Sequence, residues 1–358
     1  MVVDPQPPRM PTAPKSRTPP QSGGHRFLEL DGLRGWASLS VVCFHVFWEM
    51  FGRADPSFRT PVTAALFNGH MAVAIFFVLS GEALSLPYWQ SRDRRLIARQ
   101  ALKRYPRLTI PIFCSCLLVF VLLSLGLTFP QQASALLNGQ EWLGRFLPFQ
   151  PSVTGLLEYA TFGVYAHHST EISYNPFLWT METELMGSFI VFVLLWADKY
   201  IRRLDVVLVV VILACAGWYP FLCGFLVGFL LGKLHGRQVF ARMQHTPRSR
   251  AVTGLGMAMA LATGGYLLYF DIYAPPVYLM AASTFVVSMH GNDRATAFLR
   301  NRLSRQMGRL SFPLYLVHFP VLVSLGCGAV VVVAGNHMLS VAWMAAIGGL
   351  TVAVSLGV

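Results

Sequence analysis

The chain has 358 residues, of which 54% are hydrophobic and 12% are charged. A mean hydropathy of +0.53, together with repeated apolar runs, excludes an ordinary soluble globular domain and predicts a polytopic membrane protein. The net charge of +12 would indicate nucleic-acid binding in a soluble protein. Here, however, the basic residues follow the apolar segments, so we predict no nucleic-acid partner.

The chain begins with a polar segment, residues 1–25, which is rich in Pro, Ser and Gly and contains no apolar run. Such a segment cannot bury enough apolar surface to fold. We therefore predict a disordered cytosolic tail without a cleavable signal peptide. Residues 26–358 are predicted to form one transmembrane domain.

Ten apolar segments follow the tail, and each is predicted to be a transmembrane helix in contact with the lipid bilayer. The fold class is therefore predicted to be all-α. A long external loop, 129–175, separates the third span from the fourth. The predicted spans are 34–52, 67–88, 108–128, 176–196, 205–218, 219–232, 251–270, 273–290, 310–332 and 339–358.

The distribution of Lys and Arg predicts the orientation of these spans. If the N-terminus is cytosolic, all of the 28 Lys and Arg residues except Arg53, Arg59 and Arg145 fall in cytosolic segments. Cytosolic loops carry the excess of basic residues in membrane proteins. We therefore predict a cytosolic N-terminus and a multi-pass protein of the plasma or inner membrane.

The first span contains two ionisable residues on one stripe. Arg34 and His45 are eleven residues apart, and eleven steps of about 100° bring their side chains to within about 20° of each other. At 1.5 Å per residue the two residues are separated by roughly 16 Å, about half of the hydrocarbon thickness. Because ionisable groups at such depths are costly, we predict that both residues are functional.

Three other spans also carry ionisable residues: Glu82 lies in the second, Glu182 and Glu184 in the fourth, and His318 in the ninth. On a helix, Glu184 shares a stripe with polar and small residues, whereas Glu182 points roughly 160° away toward apolar side chains. Glu184 is therefore the predicted site residue. Glu182 is predicted to lie at the lipid interface or in a packing contact.

The depths of these residues indicate a shared site. Counted from the predicted cytosolic edge, His45, His318 and Glu184 lie roughly 16, 12 and 18 Å deep. In the ninth span, Ser311 and Tyr315 lie on the same helical face as His318. We therefore expect ionisable groups from three helices to meet at one level.

Basic residues crowd the predicted cytosolic mouth. Arg34 begins the first span, and the segment before the third span contains Arg99, Lys103, Arg104 and Arg107. This density suits a multiply phosphorylated cytosolic ligand. Ordinary membrane anchoring and contact with anionic lipids are the alternative interpretation.

The external loop is rich in aromatic residues, whose faces can stack on sugar rings or form a belt at the membrane interface. Both interpretations stay open from the sequence. The aromatic residues are Trp142, Phe146, Phe149, Tyr159, Phe162, Tyr165 and Tyr174.

No metal site is predicted. The six cysteines lie inside apolar runs, and their spacings suit neither a zinc site nor a disulfide framework. His167 and His168, in the external loop, have no partner at a spacing typical of metal ligands.

Five motifs together resemble acyltransferase family 3, a family of integral membrane enzymes. LDGLRGWASLSVVCFH is similar to its first-span signature, in which an arginine and a histidine have the spacing of Arg34 and His45. FFVLSG resembles its second-span signature, and KRYPRLTIP resembles the basic start of its third span. LWTMETELMGSF is similar to its tryptophan-to-glutamate motif, and LSFPLYLVHFP to its ninth-span segment. The motifs occur in the family's order over residues 27–325.

Two positions depart from the family pattern. Glu82 follows Ser-Gly, where the family usually has an apolar or aromatic residue, and Leu185 follows Glu184, where many members have a second acid. We expect Glu82 to tune this member of the family or to pair with a basic residue near the cytosolic mouth.

The resemblance implies transfer of an acyl group, commonly acetyl, from cytosolic acyl-CoA to a hydroxyl of a carbohydrate or related acceptor. His45 is expected to act as the general base on that hydroxyl or as a transient acyl carrier. Glu184 is expected to orient an imidazole or the acceptor, and His318 to support charge transfer or binding. The predicted donor-binding residues are Arg34, Arg104 and Arg107, and the predicted catalytic residues are His45, Glu184 and His318.

Two alternatives stay open from the sequence. The acceptor is either a cell-surface or exported polysaccharide or a secreted small molecule of the glycosylated macrolide type. The rival class is a proton-coupled transporter in which His45, Glu184 and His318 relay protons, although no internal repeat supports a transporter fold.

Overall fold

The computed structural model describes residues 27–139, 141–244, 246–336 and 338–357. The predicted disordered tail, residues 1–25, lies outside these residues. The described residues fold into helices and connecting turns without a β-strand, so the predicted all-α class is confirmed.

The first helix changes its winding part-way along. Helix α1 (Leu28–Cys43) continues without a break into a π-helical segment, Phe44–Phe51, and then into Gly52–Ala54. A π-helical segment has more residues per turn than an α-helix, and such segments are frequent at functional sites. His45 lies in the π-helical segment, so the constant 100° step assumed from the sequence does not hold at this residue.

Helices also form at the other nine predicted spans. They are α2 (Gly69–Ser91), α3 (Arg95–Ser124), α4 (Thr180–Ala197), α5 (Leu204–Cys215), α6 (Pro220–Gly236), α7 (Pro247–Tyr269), α8 (Pro275–His290), α9 (Arg302–Val321) and α10 (Val341–Gly357). Helix α9 continues through the π-helical segment Leu322–Gly326 into Cys327–Asn336.

Five helical segments of the described chain are long and apolar enough to cross a membrane, as expected of a multi-pass membrane protein. They are Pro61–Ser91, Arg95–Ser124, Pro176–Ala197, Pro247–Tyr269 and Arg302–Asn336. Helices α5, α6 and α10 are apolar but shorter. The count of ten crossings and the cytosolic N-terminus stay predictions.

The predicted external loop, 129–175, contains several short helical segments. These are Pro130–Leu136, Glu141–Gly144, Val153–Glu158, the π-helical Tyr159–Gly163 and Val164–Ala166. The remaining short segments of the chain are Pro56–Phe58, Pro61–Leu66, Pro176–Trp179, Val239–Met243 and Asp293–Leu299.

Most aromatic residues of the external loop point into the protein. Phe146, Tyr159 and Tyr174 are at most 3% exposed and belong to a core that includes residues of α3 and α9, whereas Phe162 is exposed. The alternatives of a sugar-stacking surface or an interfacial belt were therefore wrong for the buried rings. They fold the loop against the helices because their apolar faces are removed from solvent there.

Helices α1 and α9 pack with their backbones in close contact. A Cβ atom on Gly35 would lie 2.4 Å from the carbonyl carbon of Met307, and one on Gly308 would lie 2.5 Å from the carbonyl oxygen of Asp31. Small residues permit such close helix approach in membranes. Ser38 Oγ also donates a hydrogen bond to the Ser311 carbonyl at 2.9 Å. This contact brings the polar faces of α1 and α9 together.

Helix α2 lies at the centre of the bundle and packs against α1, α4, α6 and α8. Its middle turns are almost completely buried, and Glu82 is 0% exposed. The polar residues of α2 therefore face other helices, where each needs a partner.

Candidate active site

Three of the predicted basic residues line one cavity of about 340 Å³, which we call the arginine cavity. Helix α1 contributes Arg34, α3 contributes Arg104 and Arg107, and α4 contributes Glu184. The other lining residues are mainly apolar: Val73, Phe76, Phe77, Ser80, Leu108, Pro111, Thr180, Met181, Ser311, Phe312 and Tyr315.

A hydrogen-bonded network fixes the polar wall of the arginine cavity. Arg104 forms an ion pair with Glu184 and donates from Nε to Ser188 Oγ at 2.7 Å. Ser80 Oγ donates to Glu184 Oε1 at 2.9 Å and accepts from Arg34 Nη2 at 3.3 Å. The network thereby links α1, α2, α3 and α4 and holds each guanidinium in one orientation.

The charges in this cavity do not cancel. Arg34, Arg104 and Arg107 carry three positive charges against the single carboxylate of Glu184. Arg107 is exposed and forms no ion pair within the described ranges. Three guanidinium groups beside an apolar wall are chemically suited to an anion that also carries an apolar portion.

The two predicted catalytic histidines are in direct contact. Nδ1 of His45 lies 3.3 Å from Nε2 of His318, and Nδ1 of His318 lies 3.1 Å from the Leu314 carbonyl oxygen. Because a carbonyl only accepts hydrogen bonds, the hydrogen of a neutral His318 is on Nδ1 and its Nε2 is an acceptor. His45 then donates from Nδ1, which leaves the lone pair of its Nε2 available to accept a proton.

The ring of Phe177 fixes the plane of the His45 imidazole. The two rings are stacked with centroids 3.8 Å apart and an angle of 7° between their planes. Trp142 lies beside both rings in a nearly parallel plane, with its centroid 6.0 Å from that of His45 and 6.2 Å from that of Phe177. The loop before α4 therefore provides one face of the histidine site.

Asn175 and a proline explain how this loop is held in place. Pro320 has no N–H, so the Leu316 carbonyl lacks the donor that a regular helix would provide. Ser115 Oγ and Asn175 Nδ2 donate to this carbonyl at 2.8 and 3.2 Å. Asn175 Oδ1 accepts from the Phe177 backbone N–H at 3.2 Å, which connects the proline of α9 to the residue stacked on His45.

A second cavity of about 380 Å³ lies at His45, and we call it the histidine cavity. Its wall includes aromatic rings and several charged side chains. The lining residues are Val41, Phe44, His45, Glu49, Arg53, Gly69, His70, Val73, Trp142, Arg145, Phe146, Thr170, Pro176, Phe177, Trp179, Thr180 and Tyr315.

The two cavities meet at a thin wall. Val73, Thr180 and Tyr315 line both of them. Thr180 Oγ1 and Tyr315 Oη are hydrogen-bonded at 2.7 Å, and Tyr315 also donates to the Phe177 carbonyl. One hydrogen-bonded pair of side chains and one valine thus stand between the cationic cavity and the histidine pair.

Comparison with known families shows to which family the chain belongs. The family model for the acyltransferase domain of acyltransferase family 3 matches residues 27–358, which is nearly the whole chain. The chain belongs to acyltransferase family 3. Comparison with curated proteins and with solved structures found no match.

In this acyltransferase the predicted site residues form two separate sets. Arg34, Arg104, Arg107 and Glu184 line the arginine cavity, whereas His45 lines the histidine cavity and contacts His318. The described hydrogen-bond partners of the Glu184 carboxylate are Arg104 and Ser80. Within the described residues, the Glu184 carboxylate forms no hydrogen bond with an imidazole, because it pairs with Arg104 instead. The expectation that Glu184 orients an imidazole is therefore not supported by a contact.

Glu82 and Glu182, the other two acidic residues singled out in the sequence, line neither of these two cavities. Glu182 is exposed on the outer face of α4, as its helical angle predicted. Glu82 pairs with His235 and His290. One of the two expectations was a basic partner near the cytosolic mouth, and the described ion pairs of Glu82 include none of the arginines of that mouth.

Several residues of the acyltransferase site were not predicted from the sequence. Ser80, Asn175 and Phe177 are uncharged, and none of them stands out in an apolar segment. Ser80 lies inside the FFVLSG motif, which is the one signal that could have indicated its position. The roles of Asn175 and Phe177 depend on contacts with α3 and α9 that no local pattern reveals.

Proposed function

We propose that this acyltransferase moves an acetyl group from cytosolic acetyl-CoA to a hydroxyl of a carbohydrate acceptor, such as a cell-surface or exported polysaccharide. The observation that carries the proposal is the meeting of a cationic cavity and a histidine cavity at the wall of Val73, Thr180 and Tyr315. Family membership supports acyl transfer, and the two cavities suit a charged donor and a polar acceptor.

The arginine cavity is the proposed donor site. Its volume of about 340 Å³ is at the small end of ligand pockets, so it suits the acyl-bearing arm of coenzyme A rather than the whole nucleotide. Arg107, at the exposed edge, is suited to a phosphate, and Arg34 and Arg104 extend the positive potential inward. The apolar wall is suited to the carbon chain of the arm.

The histidine cavity is the proposed acceptor site. Trp142, whose ring is only partly buried, offers an aromatic face of the kind that packs against sugar rings. Glu49 and Arg145 offer hydrogen-bonding groups for hydroxyls, and His45 lies on the same wall. This combination of a flat apolar face and polar groups suits a carbohydrate better than a purely apolar acceptor.

The proposed reaction takes place at the shared wall, where the Thr180–Tyr315 pair opens when the acceptor binds and stays closed to water without it. Nε2 of His45 accepts the proton of the acceptor hydroxyl as its oxygen attacks the thioester carbonyl. The C–S bond then breaks, an ester bond remains on the acceptor, and protonated His45 returns its proton to the departing thiolate of coenzyme A. His318 stabilises the His45 tautomer, so it is a positioning residue in this proposal.

We further propose that the protein resides in the plasma or inner membrane with the arginine cavity toward the cytosol. The distribution of basic residues supports this orientation. The nucleotide of acetyl-CoA cannot cross a lipid bilayer unaided, so a donor cavity on the cytosolic side is consistent with the proposal.

The experiment uses membranes that contain the full chain, incubated with acetyl-CoA labelled on the acetyl group and with cell-envelope polysaccharide. We expect label on the polysaccharide with wild type and none above background with His45→Ala. Label on a secreted small molecule alone would contradict the carbohydrate proposal. Proton-driven solute flux without dependence on CoA would contradict the enzyme proposal and support the transporter.

A single-turnover experiment separates direct transfer from an acyl-histidine relay. The purified protein is mixed with labelled acetyl-CoA without acceptor and then denatured. Because both cavities share one thin wall, we propose direct transfer and expect no label on the chain. Label that is lost in His45→Ala would establish the relay instead.

A further inference from the structure

A second polar cluster lies outside both cavities. Glu82 of α2 is hydrogen-bonded to His235 at the end of α6 and to His290 at the end of α8. Glu82 Oε1 lies 3.0 Å from His235 Nδ1, and Glu82 Oε2 lies 2.9 Å from His290 Nε2. One nitrogen of each histidine and one carboxylate oxygen all lie within 4.8 Å of one another.

The burial of this cluster is incompatible with an uncompensated charge. The side chains of Glu82 and His290 are 0% and 2% exposed. The ion-pair partners of Glu82 in the described chain are these two histidines, and neither a lysine nor an arginine pairs with it. Neutral imidazoles donate hydrogen bonds but supply no positive charge. A buried carboxylate in a membrane protein needs a positive charge, which either a protonated histidine of this cluster or a bound metal ion supplies.

The donor atoms suit a divalent transition metal. Two imidazole nitrogens and one carboxylate oxygen form a common zinc ligand set that leaves a fourth position for water. With zinc–ligand bonds of about 2.1 Å, ligands of a tetrahedral site lie roughly 3.4 Å apart. The two short contacts of Glu82 involve different carboxylate oxygens, so a single ligand oxygen and the two ring nitrogens lie within 4.8 Å of one another and must approach slightly to bind one ion. His235 is 20% exposed, so its side chain can adjust and provides a path of entry for the ion.

A second carboxylate supports this interpretation. Oε1 of Glu29 lies 4.0 Å from Nε2 of His235, the ring nitrogen opposite to the one that faces Glu82. Histidines that bind metals through one nitrogen commonly direct the other toward a carboxylate. Arg300 holds Glu29 with two hydrogen bonds of 2.9 and 3.0 Å. If His235 binds a metal through Nδ1, its Nε2–H is then directed toward Glu29.

We propose that Glu82, His235 and His290 form a zinc site that joins the ends of α6 and α8 to α2. The site lies two residues from Ser80, which bonds both Arg34 and Glu184 in the arginine cavity. The ion compensates the buried carboxylate and fixes the segment of α2 that carries Ser80. A sequence search by ligand spacing misses this site because its ligands are 153 and 208 residues apart.

The test uses the full chain, purified without a polyhistidine tag and stripped with a chelator. Titration with ZnCl₂ is expected to show one tight site per chain and a rise in melting temperature, because an ion that binds only the folded state stabilises it. No tight site in the wild-type protein would overturn the proposal and leave the cluster as a hydrogen-bonded bridge.

Four variants locate the site. Glu82→Gln and His235→Gln are each expected to weaken zinc binding by at least about 100-fold and to abolish the rise in melting temperature. His167→Gln removes an exposed loop histidine, and His45→Ala removes one histidine of the His45–His318 pair. Both should keep the wild-type affinity.

His235→Gln is the decisive variant if Glu82→Gln fails to fold, since the side chain of His235 is partly exposed. Its size-exclusion profile checks that it is folded. Wild-type zinc affinity in a folded His235→Gln protein would overturn the assignment. Loss of affinity in His45→Ala alone would move the zinc site to the histidine cavity and also overturn it.

Discussion

Nδ1 of His45 lies 3.3 Å from Nε2 of His318, and the Leu314 carbonyl engages the other nitrogen of His318. This chain of three groups determines which nitrogen of His45 can act as a base. The interaction depends on the close packing of α1 against α9, and Phe177 covers the resulting site.

The first prediction concerns the different roles of His45, as general base, and His318, as positioning residue. His45→Ala should lower the turnover number by 10²- to 10⁴-fold, roughly the contribution of a general base. His318→Phe should lower it by about 10- to 100-fold, because His45 loses its acceptor but keeps its own nitrogens. Initial rates with saturating acetyl-CoA measure both effects.

The Michaelis constant for acetyl-CoA provides the control for this prediction. It should stay within about twofold of wild type in both variants, since neither histidine lines the arginine cavity. Glu182→Gln, on the exposed face of α4, should leave both kinetic constants unchanged. A His318→Phe protein with wild-type turnover would remove His318 from the site.

The second prediction concerns Asn175, which joins the Leu316 carbonyl to the backbone of Phe177. Asn175→Leu keeps the branching of the side chain but removes the hydrogen bonds of a fully buried amide. The free energy of unfolding should fall by about 1–3 kcal/mol, the usual range for an unsatisfied buried polar group. Thermal unfolding in detergent measures the change, and activity should fall because Phe177 is no longer held against His45.

Asn336 offers a matched control for Asn175. Its amide also donates to a backbone carbonyl, that of Val332 at 2.8 Å, but it is exposed. Asn336→Leu should change neither the melting temperature nor the activity by a measurable amount. Equal destabilisation by the two substitutions would contradict the role given to Asn175.

The third prediction concerns the wall between the cavities. Tyr315→Phe removes the hydroxyl that bonds Thr180 and the Phe177 carbonyl. Without this pair we expect water from the histidine cavity to reach the thioester, so that hydrolysis of acetyl-CoA without acceptor rises several-fold while acetyl transfer falls. Release of free CoA measures the hydrolysis.

Tyr105→Phe is the control for the wall. Tyr105 Oη donates to the Thr161 carbonyl at 2.7 Å on an exposed surface, outside both cavities. This variant should show wild-type transfer and hydrolysis. If Tyr315→Phe behaves in the same way, the two residues do not separate donor from acceptor.

Parts of this arrangement could be predicted from the sequence because they depend on helical periodicity. The ten apolar segments and the meeting of His45 with His318 agree with counting residues along helices. These features require only local geometry and the thickness of a bilayer. The same count placed Glu184 at the level of these histidines, whereas Glu184 lines the arginine cavity together with Arg34.

Other parts depend on long-range contacts and could not be predicted. The stack of Phe177 on His45 requires the fold of the loop before α4, and that loop is anchored by Asn175 to a carbonyl that Pro320 leaves free. Glu82 meets histidines 153 and 208 residues away. Helical periodicity contains no information about such pairs.

The fourth prediction concerns the contact of α1 with α9. In Gly308→Leu, the new side chain would meet the Asp31 backbone, where a Cβ alone comes within 2.5 Å of the carbonyl oxygen. We expect a loss of about 1–3 kcal/mol or more in stability. Gly254→Leu is the matched control, because nothing lies within 4 Å of a Cβ there. Equal melting temperatures for the two variants would contradict the close packing.

The last prediction separates donor binding from structure in the arginine cavity. Arg107 forms no ion pair among the described residues, so Arg107→Gln should raise the Michaelis constant for acetyl-CoA by about tenfold at unchanged melting temperature, which corresponds to about 1.4 kcal/mol of lost binding. Arg104→Gln should do more, because it leaves the carboxylate of Glu184 without its cation. Removing one partner of a buried ion pair costs about 3–5 kcal/mol.

Arg99→Gln is the matched control for Arg107, since Arg99 is an exposed arginine on the same helix and does not line the cavity. If general positive charge at the membrane surface attracts the donor, Arg99→Gln and Arg107→Gln should raise the Michaelis constant equally, and both effects should vanish at high salt. A specific phosphate contact predicts an effect of Arg107→Gln alone that persists as the salt concentration rises. Direct binding of CoA at two ionic strengths distinguishes these outcomes.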